Sequence, residues 1–213
     1  MRLVAEGLSA KRGEDLIFQD ISFEIGGGEA LVVKGSNGSG KSTLLRVLAG
    51  LLPAHSGSAK LLAAAQPIGQ LGEAAHYLGH RNAMKRELTV EENLSFWKSF
   101  FGDFAGGAGV PIAEAVEAVG LGGIAHLPFG YLSAGQQRRM AMAKLLVSWR
   151  PVWILDEPTA ALDAAAEAMF AGLVTAHLAQ GGIAIAATHQ PLGLEGVKEL
   201  RMKGFAGVME DVW

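Results

Sequence analysis

The chain has 213 residues, half of them hydrophobic, which allows one substantial core, so we expect a single domain over residues 1–213. Its formal net charge of -3 gives no general electrostatic reason to bind nucleic acid, and we expect no nucleic-acid partner. It has no cysteine, which excludes disulfides, thiolate metal sites and a cysteine nucleophile and fits a reducing compartment.

The N-terminal segment does not look like an export signal. Glu6 and then Lys11-Arg12 interrupt the sequence before any apolar run of sufficient length, so we expect a cytoplasmic protein. No window of the sequence offers about 18 consecutive apolar residues, the minimum for a membrane-spanning helix. A role at a membrane would therefore require another subunit to hold this chain there.

Strand and helix signals alternate in the first part of the chain. Residues 17–25 alternate in polarity and predict a strand, and the apolar run at 29–34 predicts a buried strand that ends at a glycine-rich loop. After Lys41, leucines and a valine recur at helical spacing until Gly50 and Pro53. The order strand, loop, helix is therefore predicted.

The middle of the chain, about residues 83–147, predicts an inserted helical lobe. Residues 91–101, 111–119 and 134–147 have helical patterns and are separated by glycine-rich breaks. Within this lobe we predict one flexible loop, at residues 102–109.

Strand patterns return at residues 152–155 and 183–187, with an alanine-rich helix predicted between them at about 164–180. Strands that alternate with helices of this length indicate a parallel sheet covered on both faces. The predicted fold class is therefore α/β.

Residues 35–42 match the pattern G-x-x-x-x-G-K-[ST], which binds nucleoside triphosphates. Glycines let successive backbone N–H groups turn toward phosphate oxygens at a helix N-terminus, whose dipole favours anions. Lys41 would reach the β- and γ-phosphates, and the Ser42 hydroxyl would be a ligand of Mg²⁺. A glycine-rich turn could fit the pattern by chance, but the strand before it and the helix after it are the required context. The predicted ATP-binding residues of the loop are Gly35, Ser36, Asn37, Gly38, Ser39, Gly40, Lys41, Ser42 and Thr43.

Asp156 and Glu157 directly follow a hydrophobic strand, where carboxylates would lie at the edge of a parallel sheet. Asp156 would then act on the Mg²⁺ shell, and Glu157 could polarise the attacking water. The alternative, two solvated acids at the end of a strand, remains open from these residues alone.

Ser133 is placed to cap a helix whose N-terminus carries small residues, which makes a second anion-binding helix end. An ordinary capped helix is the alternative. However, residues 132–136, Leu-Ser-Ala-Gly-Gln, closely resemble the L-S-G-G-Q signature of ABC transporter ATP-binding subunits, with Ala134 in place of the first glycine.

Other ABC elements follow in the expected order over nearly the whole chain. Residues 161–163, Ala-Leu-Asp, resemble the D-loop, and Thr188-His189 resembles the switch histidine. The resemblance implies an ABC cassette with a parallel-sheet core, an N-terminal antiparallel β part and an inserted helical lobe. It also implies that Glu157, His189 and Lys41 serve ATP hydrolysis, with His189 at the γ-phosphate.

The ABC pattern further implies a head-to-tail dimer of two copies of the chain. ATP would lie between the phosphate loop of one copy and the signature helix of the other, so that Ser133, Gly135 and Gln136 would contact ATP bound by the partner copy. A monomer would hydrolyse ATP poorly.

Two positions depart from the ABC pattern. His80 occupies the place of the Q-loop glutamine, and its imidazole is a poor ligand for Mg²⁺ although it can donate a hydrogen bond. Arg12 lies where an adenine-stacking aromatic is usual. Its planar guanidinium could stack on the base, and a solvated turn arginine is an equal alternative.

These departures and several local motifs resemble the CcmA family, the ATP-binding subunits of bacterial cytochrome c maturation. The motifs are Tyr77 to His80, residues 132–139, residues 153–158 and residues 188–192. This resemblance implies a peripheral protein on the cytoplasmic face of the inner membrane, with membrane subunits of the CcmB and CcmC type. ATP hydrolysis would serve release of a haem-loaded periplasmic chaperone, without direct haem binding by this chain.

The sequence leaves alternative functions open. The ATPase of another small ABC exporter is the main alternative, and a soluble ABC ATPase fits less well because it would usually show paired cassettes or basic surfaces. A phosphate-loop kinase leaves the signature helix and His189 unexplained.

An aromatic cluster lies in the predicted lobe, at Phe96, Trp97, Phe100, Phe101 and Phe104. Aromatic residues at this helical spacing predict a core face first. Contact of some of them with a membrane partner is the alternative.

Overall fold

A computed structural model of the chain describes residues 1–160, 162–189 and 192–203. The strands are β1 (Arg2–Arg12), β2 (Asp15–Gly26), β3 (Ala30–Lys34), β4 (Ser56–Leu62), β5 (Ala75–Leu78), β6 (Val152–Asp156), β7 (Ile183–Ala187) and β8 (Lys198–Arg201). The helices are α1 (Lys41–Leu48), α2 (Val90–Phe101), α3 (Ile112–Ala118), α4 (Ala134–Leu146) and α5 (Ala164–Ala179), and short 3₁₀ turns occur at Leu71–Ala74 and Phe129–Tyr131. Across these described residues, no helix combines the length and apolar character needed to cross a membrane.

The centre of the fold is a parallel sheet of five strands in the order β5-β6-β7-β3-β8. Because side chains alternate along a strand, each central strand supplies both faces of the sheet. In β3, Leu31 and Val33 join the core that contains α1, whereas Ala30 and Val32 join the core that contains α4 and α5. The sheet is therefore covered on both faces, as the alternating pattern predicts.

The second sheet is antiparallel, with strand order β2-β1-β4. Its buried side chains, among them Leu3, Leu8 and Ile25, belong to the same core as those of α1. This sheet therefore packs on the α1 side of the parallel sheet, and the α/β fold with an N-terminal antiparallel part is confirmed.

Helices α2, α3 and α4 follow one another in the segment predicted as a helical lobe. Helix α4 contacts α2, α3 and strand β5, and its residues Met140 to Ala143 are all fully buried. The division into a core and an inserted lobe at about residues 83–147 stays a prediction.

The loop at residues 102–109 makes specific contacts that its glycines do not predict. Asp103 Oδ1 accepts hydrogen bonds from the backbone N–H groups of Gly109 (2.8 Å) and Trp149 (2.7 Å). Phe104 is only 2% exposed and belongs to the core on the α1 side of the sheet, not to the aromatic face of α2. A buried ring and a shared carboxylate therefore hold parts of this loop, and composition alone reveals neither, whereas the flexibility of the loop stays a prediction.

Candidate functional site

A cleft of about 430 Å³ opens where the carboxyl ends of β3, β6 and β7 meet. In open α/β sheets this edge is the usual place for a ligand. The cleft is lined by Arg12, Ile17, Asn37, Gly38, Gly40, Lys41, Ser42, Thr43, His80, Glu157 and His189. All of these except Ile17 are predicted site residues, so the fold brings widely separated segments together as the motifs require.

The glycine-rich loop passes from β3 into α1, and its last glycine is fixed by geometry. Gly40 caps α1 at a φ of 93°, and a Cβ there would lie 2.9 Å from Ile17 Cγ2. Lys41 is buried, and its Nζ donates hydrogen bonds to the carbonyl oxygens of Gly35 (2.8 Å) and Ser36 (3.0 Å). The lysine therefore holds the loop curved around the space where phosphates would bind.

Asp156 ends β6 and lies directly behind the loop. Its side chain is buried, and Oδ1 accepts a hydrogen bond from Ser42 Oγ at 2.9 Å while Oδ2 accepts one from Tyr77 Oη at 3.1 Å. Burial raises the pKa of the Tyr77 phenol, so this group keeps its proton and remains a donor. The hydroxyl and carboxylate oxygens of Ser42 and Asp156 are the hard donors that Mg²⁺ prefers, so this pair fits the predicted metal site.

Glu157 is held in an uncommon backbone conformation, with a φ of 47°. Its N–H donates to the carbonyl oxygen of Ala187 in β7 at 2.9 Å. The carboxylate points into the cleft, where Oε1 lies 3.7 Å from His189 Nε2. His189 Nε2 in turn lies 3.0 Å from Asn37 Oδ1 of the glycine-rich loop, so the two predicted catalytic side chains meet beside that loop.

Arg138 of α4 joins this arrangement, although the sequence did not single it out. It is 7% exposed and donates to the carbonyl oxygens of Glu157 (2.9 Å), Pro158 (3.0 Å) and Gly79 (2.7 Å). Desolvation lowers the pKa of the guanidinium, and the nearby charge of Asp156 opposes this shift. Helix α4, which begins at the signature motif, is the signature helix. The Arg138 side chain therefore ties this helix both to the backbone of Glu157 and to Gly79, the residue before His80.

Ser133, Gly135 and Gln136 do not line the cleft. Ser133 caps α4 in a reciprocal capping box: its Oγ accepts from the N–H of Gln136 (3.3 Å), and Gln136 Oε1 accepts from the N–H of Ser133 (2.9 Å). At Gly135 an added Cβ would meet no atom within 4 Å, so packing within the chain does not require a glycine there. Their predicted contact with ATP of a partner copy stays a prediction.

The remaining predicted residues fall into three groups. Arg12 and His80 are exposed and both line the cleft, and their roles there stay predictions. Gly35, Ser36 and Ser39 belong to the loop but do not line the cleft, and Ser39 is buried beneath it. Of the predicted D-loop and switch segments, Ala161, Gln190 and Pro191 lie outside the described residues, whereas Asp163 caps α5 by accepting from the N–H of Ala166.

The glycine-rich loop, the Ser42–Asp156 oxygen pair and the carboxylate of Glu157 at one edge of a parallel sheet define a P-loop nucleotide-binding protein. Comparison with known proteins agrees with this assignment. Residues 18–160 match the family described as ABC transporter. A solved ATP-binding subunit of an ABC transporter superimposes with a TM-score of 0.75 at 22% identity, and the match covers 89% of this chain and 80% of that one. A Pyrococcus furiosus structure, provisionally assigned as an ABC transporter ATP-binding protein, gives 0.79 at 23%, covering 95% and 98%.

Proteins of similar sequence show to which family of ABC transporter ATP-binding proteins the chain belongs. A Rhizobium meliloti protein named "Cytochrome c biogenesis ATP-binding export protein CcmA" is 68% identical over 96% of this chain and 99% of its own length. An Agrobacterium fabrum protein of the same name is 67% identical over 98% of each chain. The chain therefore belongs to the CcmA family of ABC transporter ATP-binding proteins, as its motifs predict. It is an ABC ATPase, the ATP-hydrolysing subunit of a transporter.

Proposed function

We propose that this ABC ATPase hydrolyses Mg²⁺-ATP in a head-to-tail dimer and drives a membrane complex of cytochrome c maturation. The observation that carries the proposal is the meeting of Glu157 and His189, 3.7 Å apart, in a cleft that the glycine-rich loop lines. The relatives that are named for cytochrome c biogenesis support the choice of process.

Each residue of the cleft has a distinct part in this reaction. The loop N–H groups and Lys41 would bind the β- and γ-phosphates, and Ser42 and Asp156 would hold Mg²⁺, which would neutralise charge on the phosphates. Glu157 Oε1 accepts a hydrogen bond from the attacking water and orients it toward the γ-phosphorus. His189, whose Nε2 lies 3.0 Å from Asn37 Oδ1, would contact the γ-phosphate.

We infer the dimer because groups at the N-terminus of the signature helix have no ATP-binding role within their own copy. Its N-terminus carries an exposed Ser133 and an open space at Gly135, yet neither contributes to the cleft of its own chain. A hydroxyl still has donor and acceptor capacity after one capping bond. We therefore place these groups against the γ-phosphate of ATP bound by the partner copy.

Glu157→Gln tests the assignment of the base. We expect this variant to bind ATP, to lose at least about 100-fold in kcat, and to accumulate as an ATP-bound dimer, because the amide preserves shape but cannot accept the water proton. Steady-state hydrolysis and sedimentation velocity with and without ATP measure both effects. Glu6→Gln, a matched change at an exposed residue of β1, should alter neither. Hydrolysis by Glu157→Gln at the parental rate would remove Glu157 from the catalytic role.

Helix α2 offers a surface for a membrane partner. Phe96 and Phe100 are 55% and 66% exposed, and their rings stack 5.8 Å apart on the outer face of the helix. Trp97 and Phe101 pack behind them, and Lys144 Nζ lies 4.8 Å from the Trp97 ring centroid. Exposed aromatic pairs of this kind are frequent anchors of protein interfaces. We assign this pair to contact with membrane subunits of the CcmB and CcmC type at the cytoplasmic face of the inner membrane.

Replacing both rings tests that contact. The double variant Phe96→Ser, Phe100→Ser should fold and hydrolyse ATP as purified protein but fail to copurify with the membrane subunits. Leu62→Ser, at an exposed leucine of the antiparallel sheet, is the matched control. Copurification of the double variant at the control level would place the interface elsewhere.

The process itself is tested in cells. Deletion of the gene should abolish covalent haem attachment to c-type cytochromes, and the parental gene should restore it while the Glu157→Gln version should not. Normal covalent haem in the deletion strain would leave an ABC ATPase of a different small exporter as the function.

A further inference from the structure

The cleft lacks an aromatic surface for a nucleotide base. Among the described residues that line it there is no Phe, Tyr or Trp, and Arg12 and Ile17 are the lining residues that come from strands β1 and β2 of the antiparallel sheet. Arg12 is exposed and Ile17 is partly exposed, so a base beside them would keep one face open to solvent. Base–aromatic stacking typically contributes a large share of affinity where a base is held at a surface.

Tyr131 is an aromatic residue with no evident use within one copy. Its side chain is the most exposed of the large hydrophobic residues that the structure describes, at 81%. It comes two residues before Ser133, and Leu132 between them has an extended backbone, at φ −72° and ψ 145°. Leu132 is buried, so Tyr131 is presented outward next to the exposed cap of α4.

The backbone that carries Tyr131 is firmly held. The 3₁₀ turn Phe129–Tyr131 is fixed by three backbone hydrogen bonds, from Phe129 to Leu88 (2.8 Å), from Gly130 to Arg86 (2.9 Å) and from Tyr131 to Pro128 (3.0 Å). Gln137 Nε2 also donates to the carbonyl oxygen of Leu132 at 3.0 Å. An exposed ring on such an ordered support is already positioned for a ligand, which lowers the entropic cost of binding.

We infer that Tyr131 stacks on the adenine of the ATP that is bound in the cleft of the partner copy. The inference rests on the proposed head-to-tail dimer, in which Ser133 and Gly135 face the γ-phosphate of that ATP. Two residues of extended backbone span about 7 Å, and the tyrosine side chain reaches further, so the ring has the reach to contact the base of a nucleotide whose γ-phosphate lies at Ser133. Each adenine would then have Tyr131 of one copy on the face left open by Arg12 of the other.

The first experiment measures ATP-driven dimer formation in the Glu157→Gln background by sedimentation velocity. We expect Tyr131→Ala to raise the half-saturating ATP concentration about 5- to 150-fold, the range that loss of one base–aromatic stack implies. Tyr131→Phe should stay within about twofold, because the ring rather than the hydroxyl makes the stack. Leu62→Ala, which removes most of an exposed apolar side chain elsewhere, is the control and should have no effect.

The second experiment locates the base directly by photolabelling the same protein with azidoadenine ATP. Adducts should form on the tryptic peptide of residues 99–138, at Tyr131, only under conditions that give the dimer. The outcomes separate the two proposals. If ATP gives no dimer even with Tyr131 present, the proposed dimer fails and this inference fails with it.

If the dimer forms and Tyr131→Ala leaves the half-saturating ATP concentration within twofold, the dimer stands and the stacking role is refuted. If Tyr131→Ala weakens the dimer but the label is found only elsewhere, Tyr131 contacts the partner protein instead of the base, which also refutes the stacking role.

Discussion

Two buried histidines make the stability of the protein depend on pH. His76 is fully buried, with Nε2 2.8 Å from the carbonyl oxygen of Ser148, and His177 is 3% exposed and stacks on Trp153 at 4.1 Å. Burial lowers the pKa of His76 to about 3 and that of His177 to about 4. Lys144 and Arg150 lower the pKa of His76 further.

The sign of the pH effect follows from these directions. Both pKa values lie below the unfolded value of about 6.5, so above pH 6.5 both states are neutral, and below it only the unfolded chain takes up the protons. At pH 5.5 each histidine destabilises the fold by about 1.4 kcal/mol relative to high pH. The free energy of unfolding should therefore fall by about 2.7 kcal/mol between pH 7.5 and pH 5.5 through His76 and His177 together.

Urea unfolding at the two pH values measures this difference. His177→Phe, which keeps a ring against Trp153, should halve the histidine-linked loss, to a change smaller by about 1.3 kcal/mol. His126→Gln, at an exposed position, should leave the loss unchanged. If His177→Phe and the parent lose the same stability between pH 7.5 and pH 5.5, then His177 is not kept neutral by the fold and the reasoning from burial is refuted.

Two further predictions concern side chains that the structure places in new roles. Arg138→Met should lower kcat at least about tenfold with a much smaller change in KM, because the guanidinium fixes the Glu157 backbone rather than the nucleotide; parental kcat in steady-state assays would contradict this. Phe104→Ala should reduce the free energy of unfolding by about 3–5 kcal/mol in urea titrations, because the ring is buried in the core, whereas Phe100→Ala should change it by less than about 0.5 kcal/mol. Equal effects of the two phenylalanine substitutions would show that burial of the Phe104 ring does not stabilise the fold.

The sequence predicted the elements that carry strong local signals. The buried strands β3, β6 and β7 are short apolar runs, and α1 is bounded by Gly40 and Gly50, so hydrophobic pattern and glycines located them. Local patterns did not predict strands β1, β4, β5 and β8. Strand β4 reads Ser-Gly-Ser-Ala-Lys-Leu-Leu and β8 reads Lys-Glu-Leu-Arg, with no β-branched residue between them. They become strands because β1 and β3 offer free edges for pairing, which is a tertiary effect.

Some residues of the candidate site are likewise predicted by local sequence patterns, and others are brought to the site only by the fold. Lys41, Asp156, Glu157 and His189 lie in recognisable local patterns, and the structure brings Lys41, Glu157 and His189 to one cleft with Asp156 directly behind the loop. Arg138 lies 59 residues from its partner Gly79, and Tyr77 lies 79 residues from Asp156, so no local pattern reveals either contact. Motifs therefore identify the groups that are predicted to touch the nucleotide, and only the fold identifies the side chains that orient them.

Glu157 is a residue that a motif identifies, but its backbone conformation depends on contacts that only the fold provides. A positive φ at a residue with a side chain costs roughly 1–3 kcal/mol and persists only where the surroundings enforce it. Here the N–H is bound by Ala187 of β7 and the carbonyl oxygen by Arg138 of α4, so two separate elements hold the peptide groups on either side of one Cα. The consequence is a carboxylate that leaves the strand at a different angle from Asp156 and enters the cleft. Because Arg138 belongs to the helix that Ser133 caps, the proposed contact of that helix with a partner copy's ATP would be coupled to the backbone of the candidate base through Arg138.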